Sequence, residues 1–541
     1  MESPQEQLQT KTVSVEPTEI TMGLGRRSAN FFGYIVTFIV AYAVVANLIV
    51  AGDVIAYFVL EMENFPTSVF GIEKIIAFVV STLLAWITGR YFHWSVFRKV
   101  TRPYAPHSPV LRITFFTFYS IFVLAFVLVI TPSTLGLFYK DIQPIDDTDL
   151  QLPTLSIQDD QNALPDLMAA SEALDRTYDT EKLRDILGGK TWDAAFAAQA
   201  IASNTAAINL YASAASKPIF QNPVTAEPDT LTPASVLPSL AIWRTLDRFN
   251  GLYAQYLARQ GESSEAFQTA LVGVNIGHKI ETSQGHLIDW LTGRAIKVQA
   301  LETIQMIIAS STTSSRELKS VAASLKMYSN DASGLVKTHK ADYYSLKNLY
   351  QSIAYGDTNA STSSIPNGLQ KLSAIDKTNF YYHPNETISN LATDIRGEIN
   401  VSQSACDSIA THKPTRLSPS NLYFLFFTPN AIGKVLHDVV SARSDSTKRK
   451  QCQENALLSA VRLFAALKAY QQDNKRLPTS LDALVPIYLS DMPLDPFSGQ
   501  KFRYNPTKKI IYSIGPDKQD VGGSTSGRWD QMSNPTFSIV F

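Results

Sequence analysis

The most metal-like spacing of side chains in this sequence is His278, Glu281 and His286. Imidazole and carboxylate groups are common zinc ligands. On one continuous helix, however, His278 and His286 would lie about 12 Å apart, which is too far to share an ion. Gly285 could break the helix and bring them together. Because zinc sites usually have three or four ligands in a closer arrangement, solvated or core polar residues are the better interpretation.

The rest of the sequence contains no strong catalytic signature. It lacks a G-x-S-x-G elbow, an H-E-x-x-H pair, a phosphate-binding P-loop and a dinucleotide-binding glycine motif. Hydrolysis stays open, since catalytic triads can be assembled from residues that are distant in sequence. The two cysteines, Cys406 and Cys452, can pair in an oxidising compartment or remain unpaired structural thiols, and their positions in the sequence do not decide between these alternatives.

Residues 451–541 are predicted to form a small α+β module. Its first helix has one apolar face, whose members recur every three or four positions: Leu457, Val461, Phe464, Leu467 and Tyr470. Thr479 or Ser480 is a candidate N-cap for a second, short helix. The expected elements that follow are a turn at 495–499, a hairpin at 502–514 and a closing strand at 537–541.

This module resembles the globular domain of the major pseudopilin of type II secretion systems. The matching residues are Ala469–Asn474 with Leu477, Pro478 and Thr479, the turn Asp495–Phe497, and Tyr512–Asp517 with Gly522 and Gly523. A pseudopilin carries this domain directly after a methylated amino-terminal helix. Nothing like that leader precedes the module, so a conventional pilus subunit is not expected.

The resemblance implies a calcium site in the C-terminal loop. In that family the corresponding loop binds calcium, which carries over to Asp517 and Asp530, with Asp520 as a nearby substitute. Carboxylate and carbonyl oxygens on a glycine-containing loop suit this ion. The loop departs from the family where Lys518 replaces a usual glycine and Trp529 precedes Asp530. A solvated acidic loop without calcium is therefore the alternative.

Residues 161–450 are predicted to form an all-α external domain, after a linker at 140–160. Gly261 is the expected stop between two helices of an antiparallel hairpin. The aromatic run Phe380–Tyr382 could stack a sugar or a peptide, although core packing is the commoner fate of such residues. The middle helices and Asn430–His437 also look like those of a broad group of bacterial envelope proteins, which implies a bacterial origin. Apolar residues recur at helical spacing in the segments 167–174, 194–211, 240–259, 266–271, 287–308, 318–327 and 343–353.

Three apolar runs precede this region and predict transmembrane helices. Phe31–Val50 and Ile113–Ile130 carry no charge, and each is long enough to cross a hydrocarbon core. Ile75–Gly89 is shorter and needs Ile72 as well, with Lys74 snorkelling to the interface, so a buried core helix is its alternative. A cleaved signal peptide is the alternative for the first run, but its long polar lead and long apolar core argue against cleavage.

The charges beside these runs predict their orientation. The segment Arg90–Arg112 contains five Lys or Arg residues and no Asp or Glu. In contrast, all the charged residues of Gly52–Gly71 are acidic. The positive-inside rule then places the tail 1–30 and the basic segment in the cytoplasm, and the residues after the third run outside it. We therefore expect a bacterial inner-membrane protein with a cytoplasmic amino terminus and a periplasmic C-terminal region.

Charge is balanced over the whole chain, with 47 Lys plus Arg against 48 Asp plus Glu. No nucleic-acid-binding field is implied, so the expected partners are the lipid bilayer and an envelope protein. The predicted fold class is membrane-anchored, with three transmembrane helices within 31–139, a mostly α-helical external domain and a small α+β module with a short antiparallel sheet. The favoured function is non-enzymatic partner binding or assembly, related to secretion. The alternative is a membrane-anchored periplasmic hydrolase of peptide or glycan.

Overall fold

The computed structural model describes residues 139–233, 239–310, 312–355, 382–408, 428–440, 444–523 and 528–541. Helices dominate these residues, and a three-stranded antiparallel sheet lies close to the C-terminus. The expectation of a mostly helical region that ends in a small antiparallel sheet is therefore confirmed.

The membrane-anchored part of the predicted fold class is wrong for the residues that the structure describes, because none of their helices is both long and apolar enough to cross a bilayer. The physical reason is composition. Two of the longer helices carry charged side chains in their interiors, Asp247 and Lys297, and the uncharged helix Ala194–Ser216 contains several Gln, Asn, Ser and Thr residues. The three runs predicted to span the membrane, at 31–50, 72–89 and 113–130, lie outside the described residues.

Recognisable capping signals set several helix ends. Asn162 and Asp193 accept backbone N–H groups at two helix starts, and Ser314 forms a reciprocal capping box with Glu317 at a third. Gly261 adopts φ 90° at the end of its helix, as the hairpin prediction required. The helices are α1 (Ala163–Ala173), α2 (Thr180–Leu187), α3 (Ala194–Ser216), α4 (Leu240–Gln260), α5 (Ser263–Thr282), α6 (Leu287–Ser310), α7 (Ser315–Leu325), α8 (Ser333–Tyr355), α9 (Pro384–Gln403), α10 (Ala431–Val440) and α11 (Ser444–Asn474).

One hydrophobic cluster joins the helical region to the C-terminal sheet. It combines buried residues of α4 to α7 with the apolar face of α11, including Leu457 and Phe464, and with Ile511 and Phe537 of the sheet. The predicted boundary between residues 450 and 451 falls within α11. Side chains on both sides of that boundary thus share one core. Burial of this apolar surface is the main favourable contribution to the joint.

The sheet is small and regular. Its strands are β1 (Arg503–Asn505), β2 (Ile510–Tyr512) and β3 (Thr536–Ser538), in the order β1-β2-β3. Ile511 lies opposite Phe537 in the register of β2 and β3. The turn before the sheet is held by the buried carboxylate of Asp495, which accepts the Ser513 hydroxyl at 2.7 Å and the Phe497 N–H at 3.1 Å.

Two further large clusters contribute to the core of the described region, and a small one consists of Leu152, Leu231 and Ala341. One packs α1, α2 and α3 against α4 and the adjoining faces of α5 and α6. The other packs α8, α9 and α10 together around residues such as Tyr350 and Leu391. Tyr382, the described member of the aromatic run, is buried there and donates its hydroxyl to the Tyr350 carbonyl at 2.8 Å. Core packing, not ligand stacking, is the fate of that side chain.

Glycines allow three helices to approach closely at one point. A Cβ on Gly277 of α5 would lie 2.6 Å from the carbonyl oxygen of Gly293 in α6, and a Cβ on Gly334 of α8 would lie 2.3 Å from that of Glu281. Real Cβ atoms do not come so close to backbone oxygens, so the crossing requires glycine. This close approach brings Glu281 and Lys297 together in the interior.

Candidate functional site

A serine, a histidine and a glutamate from α8 and α9 are connected in series by hydrogen bonds. The Nε2 atom of His339 is 3.0 Å from the Ser402 hydroxyl oxygen, and its Nδ1 atom is 2.9 Å from Oε2 of Glu398. We call these three residues the Ser402 site. Glu398 and Ser402 are four positions apart on α9, which places them on the same face of that helix. His339 reaches them from α8.

This order of groups is the one used for acyl transfer to serine. In the tautomer that donates Nδ1–H to Glu398, the His339 Nε2 atom accepts the Ser402 hydroxyl proton. Glu398 then orients the imidazole and stabilises its charged form. The geometry alone would allow His339 to act as a general base toward Ser402.

The Ser402 site is enclosed, however. Ser402 is 2% exposed and His339 is 3% exposed. Lys448 of α11 donates its ammonium group to the Ser402 carbonyl oxygen at 2.8 Å and to Gln451 Oε1 at 3.0 Å. Close by, Cys406 in the segment after α9 is disulfide-bonded to Cys452 of α11, with their Cα atoms 5.8 Å apart. The site thus lies where α8, α9 and α11 are tied together.

The pairing of the cysteines, which the sequence left open, is therefore resolved in favour of a disulfide. Within the described residues no cysteine is free. A structural disulfide persists in oxidising compartments such as the bacterial periplasm and is rare in the cytosol of mesophiles.

A second polar cluster lies at the glycine-rich crossing of α5 and α6, and it also takes in α11. The Lys297 ammonium group is 2.6 Å from Glu454 Oε1 and 3.1 Å from Glu281 Oε2, and all three side chains are 0% exposed. The Asn330 amide donates to Glu281 at 2.6 Å and to Glu454 at 3.0 Å. We call these four residues the Lys297 cluster.

Burial shifts the protonation of the Lys297 cluster. Burial, together with the charge of Glu454, raises the pKa of Glu281 well above its usual range. Burial alone would lower the pKa of Lys297, but the two glutamates raise it. Burial and the nearby Lys297 charge lower the pKa of His278 to about 4, so His278 is neutral at pH 7.

A third buried group, Asp247, lies in α4. Its carboxylate accepts the Gln299 amide at 2.7 Å and the Tyr211 hydroxyl at 3.3 Å. Burial raises the pKa of Asp247 to about 7, against the lowering effect of these hydrogen bonds. A Cβ on Gly273 would come 2.1 Å from Asp247 Oδ1, so the glycine leaves the space that the carboxylate occupies.

The structure separates the residues of the first metal hypothesis. Helix α5 ends at Thr282, before Gly285, and His286 precedes α6. Glu281 belongs to the Lys297 cluster, whereas His286 pairs with Asp342 at 3.1 Å. Burial alone would lower the pKa of His286, but Asp342 raises it. The interpretation of these side chains as core polar residues agrees with their contacts.

The three aspartates of the predicted calcium loop each have partners from the protein. Asp520 accepts from Arg503 and from Tyr512, both at 3.1 Å, and Asp530 forms a bidentate pair with Arg528 at 3.0 and 3.1 Å. Asp517 is exposed and accepts the Gln519 N–H at 3.3 Å. The described part of the chain contains no group of three or more His, Cys, Asp or Glu side chains placed to hold a metal ion. The calcium site stays a prediction of the resemblance.

The structure shows the local conformation of Lys518 and the contacts of Trp529, the two departures from the pseudopilin pattern. Lys518 adopts φ 56°, the left-handed conformation that a glycine at this position would adopt without strain. Trp529 donates its indole N–H to Glu302 of α6 at 3.1 Å and packs against Phe537. The tryptophan therefore fastens the segment before Asp530 to the helical region.

Sequence reasoning did not identify the Ser402 site or the Lys297 cluster. His339 is separated from Ser402 by 63 positions, and Asn330 from Glu454 by 124. The only local signal is the four-residue spacing of Glu398 and Ser402, which many solvated helix faces share. Comparisons of the chain with protein-family models, with curated proteins and with solved structures find no match.

Proposed function

We propose that the described region is a non-catalytic interaction domain of the bacterial cell envelope that binds a protein partner or scaffolds an assembly in an oxidising compartment. The observation that carries the proposal is the burial of its chemically capable groups. Ser402, His339 and Lys297 are each at most 3% exposed and are hydrogen-bonded to neighbouring helices. Groups in this arrangement stabilise a particular packing of helices, whereas a catalytic group needs access to substrate.

The disulfide supports the compartment in this proposal. Cys406 and Cys452 join α11 to the segment after α9, and such a link is maintained where thiols are oxidised. The resemblance of residues 451–541 to a pseudopilin domain points in the same direction, toward assembly and secretion on the outer side of a bacterial membrane.

The surface offers a candidate contact for a protein partner. Met327 is 69% exposed and Ile487 is 67% exposed. They lie on two segments that the ion pair between Lys326 and Asp491, 2.8 Å long, joins. We infer that these side chains belong to one apolar contact surface with a polar rim, an arrangement that marks many protein-binding sites.

The test is crosslinking and copurification of the full chain from native cells. We expect a defined envelope protein to be recovered with the wild type and lost with Met327→Glu and Ile487→Glu. Val540→Glu is the matched control, since Val540 is 65% exposed but lies at the end of the sheet. All three variants should melt at the wild-type temperature. A chain without crosslinked neighbours in native cells would contradict the proposal.

The Ser402 site favours a second candidate function, hydrolysis of a peptide or ester bond. The distances of 3.0 Å and 2.9 Å around His339 are those of a serine nucleophile with its base and orienting acid. A serine nucleophile suits acyl transfer better than glycan hydrolysis, which generally uses two carboxyl groups. This candidate requires the helices around Ser402 to open.

A fluorophosphonate probe separates the two candidates. The interaction domain predicts no labelling of the folded full chain. A hydrolase predicts labelling that Ser402→Ala abolishes and Ser404→Ala retains, because the Ser404 hydroxyl donates to the Val401 carbonyl at 2.6 Å instead of to a histidine. Labelling with that pattern would overturn the non-catalytic proposal and establish the second candidate.

A further inference from the structure

The Lys297 cluster contains more negative than positive charge if all its groups are ionised. Lys297 supplies one positive charge, and Glu281 and Glu454 would supply two negative charges. All three side chains are inaccessible to solvent. An uncompensated charge in such a site is strongly unfavourable, so the group that can become neutral does so.

The hydrogen bonds of the cluster show which carboxylate oxygens lack a donor. Lys297 and Asn330 donate to one oxygen of each glutamate. The other oxygens, Glu281 Oε1 and Glu454 Oε2, are buried and have no hydrogen-bond donor within the described structure. A proton on one carboxyl group, donated toward the other, satisfies an acceptor and removes the excess charge together.

Glu454 is the better partner for Lys297. Its oxygen is 2.6 Å from the ammonium nitrogen, against 3.1 Å for Glu281. Ionised Glu454 and charged Lys297 thus form the shorter pair, which leaves Glu281 as the group to be neutralised. Asn330 can donate to either form of Glu281, because a protonated carboxyl group keeps an acceptor oxygen.

We propose that Glu281 holds a proton at neutral pH, and that its loss in alkaline conditions loosens the joint between α5, α6 and α11. The proton makes the cluster electrically neutral and lets α11 dock through a closed network. Because α11 continues into the C-terminal module, the state of one buried acid affects how firmly the module is held. This device is independent of the partner or substrate of the protein.

The other groups near the cluster do not supply the missing charge. On α5, His278 is neutral at pH 7 because its pKa is lowered to about 4. On the segment before α8, Asp331 is negative and exposed, and Ser333 hydrogen bonds hold its pKa low. On α8, Lys337 donates to the Thr282 carbonyl at 2.9 Å and is solvent-accessible. Lys297 therefore remains the cation that faces both glutamates.

The direct test is infrared spectroscopy of the full chain, which detects the C=O stretch of a protonated carboxyl group. At about pH 8, where an ordinary glutamate is ionised, we expect an acid band in the wild type. Glu281→Gln should remove this band, and so should Glu454→Gln, because Glu281 then becomes the ion partner of Lys297. Glu172→Gln, on the exposed surface of α1, is the matched control and should leave the band unchanged.

The second test is the pH dependence of unfolding. Between about pH 6 and 8 the folded wild type binds one proton at Glu281 that the unfolded chain does not bind. The unfolding constant of the wild type should therefore rise about tenfold per pH unit relative to Glu281→Gln. The ratio of Glu172→Gln to wild type should not vary with pH. Taking ratios cancels the contributions of Asp247 and the other shifted groups.

The two tests can overturn the proposal separately. An acid band that is absent from the wild type, or that has the same intensity in Glu281→Gln, means that Glu281 is ionised. A pH-independent ratio between wild type and Glu281→Gln has the same meaning. If Glu281→Gln does not fold, the same comparisons are made with Glu454→Gln, for which the proposal predicts the same loss of band and the same tenfold change.

Discussion

Removal of the disulfide between Cys406 and Cys452 should be the clearest perturbation of this fold. The bridge closes a loop with a sequence separation of 46. Loop-closure entropy then predicts that the bridge stabilises the folded chain by about 4 kcal/mol at 25 °C. That value is a large fraction of the 5 to 15 kcal/mol by which folded domains are typically stable. The double variant Cys406→Ser/Cys452→Ser should lose most of it.

The assay is urea unfolding of three samples: oxidised wild type, wild type with reductant, and the double serine variant. We expect the midpoint to fall for the second and third samples to a similar value. Mass spectrometry of the intact wild type should show the loss of two hydrogens before reductant is added. Reductant should have no effect on the double variant, which serves as the control for side effects of the reagent.

Two results would refute this reasoning. Equal midpoints for the oxidised and reduced wild type, with the bridge verified by mass, would show that the unfolded chain gains little freedom when the bridge is broken. A wild type purified from an oxidising compartment with two free thiols would show that the cysteines do not pair, and it would remove the main support for the proposed location.

Four further outcomes are expected. Gly277→Ala should destabilise the fold by about 1 to 3 kcal/mol, because its Cβ would overpack against α6. Gly397→Ala should stabilise α9 by about 1 kcal/mol, because its Cβ would meet open space. Thermal melts compare the two variants with the wild type. Asp247→Asn should remove one contribution to the pH dependence of urea unfolding between about pH 4 and 7. Because the pKa of Asp247 is raised to about 7, this carboxyl group makes wild-type stability fall with rising pH by about 1.4 kcal/mol per unit in that interval. Lys518→Gly should raise the free energy of unfolding by about 1 kcal/mol by relieving the left-handed conformation, and an unchanged urea midpoint would contradict this. Calcium at 100 times its dissociation constant should add about 2.7 kcal/mol of stability that Asp517→Ala removes, and identical melts with calcium and chelator would exclude the site.

Several elements of the described region were predictable from local patterns, but α2 and α9 were not among the predicted helices. The helical spacing of Trp243, Leu246 and Phe249 corresponds to buried positions of α4, and Gly261 ends that helix in the left-handed conformation. The hairpin around Asn505 is present with Tyr504 opposite Ile511. These features depend on neighbours within a few positions, so the sequence contains the whole signal.

The polar sites were not predictable in the same way. A lysine on a helix is normally solvated, and the spacing of the apolar residues around Lys297 does not indicate that its ammonium group is buried. What buries it is the approach of Glu454, which is far away in sequence on α11. Similarly, His339 acquires its role from Glu398 and Ser402 of another helix. Such contacts depend on tertiary packing, which spacing along one helix does not reveal.

The Lys297 cluster also explains why the boundary suggested by the pseudopilin resemblance is not where the packing divides. Glu454 lies on the module side of residue 450, and Lys297 and Glu281 lie on the other side. Without α11, Lys297 would keep one buried acid instead of two, and the apolar face around Leu457 and Phe464 would lose the residues it covers. Separating the module would therefore expose an apolar face and disturb a buried ionic network in the same step. The α+β resemblance describes the local chain path, whereas the energetic unit includes the helices that supply Lys297 and the surrounding core.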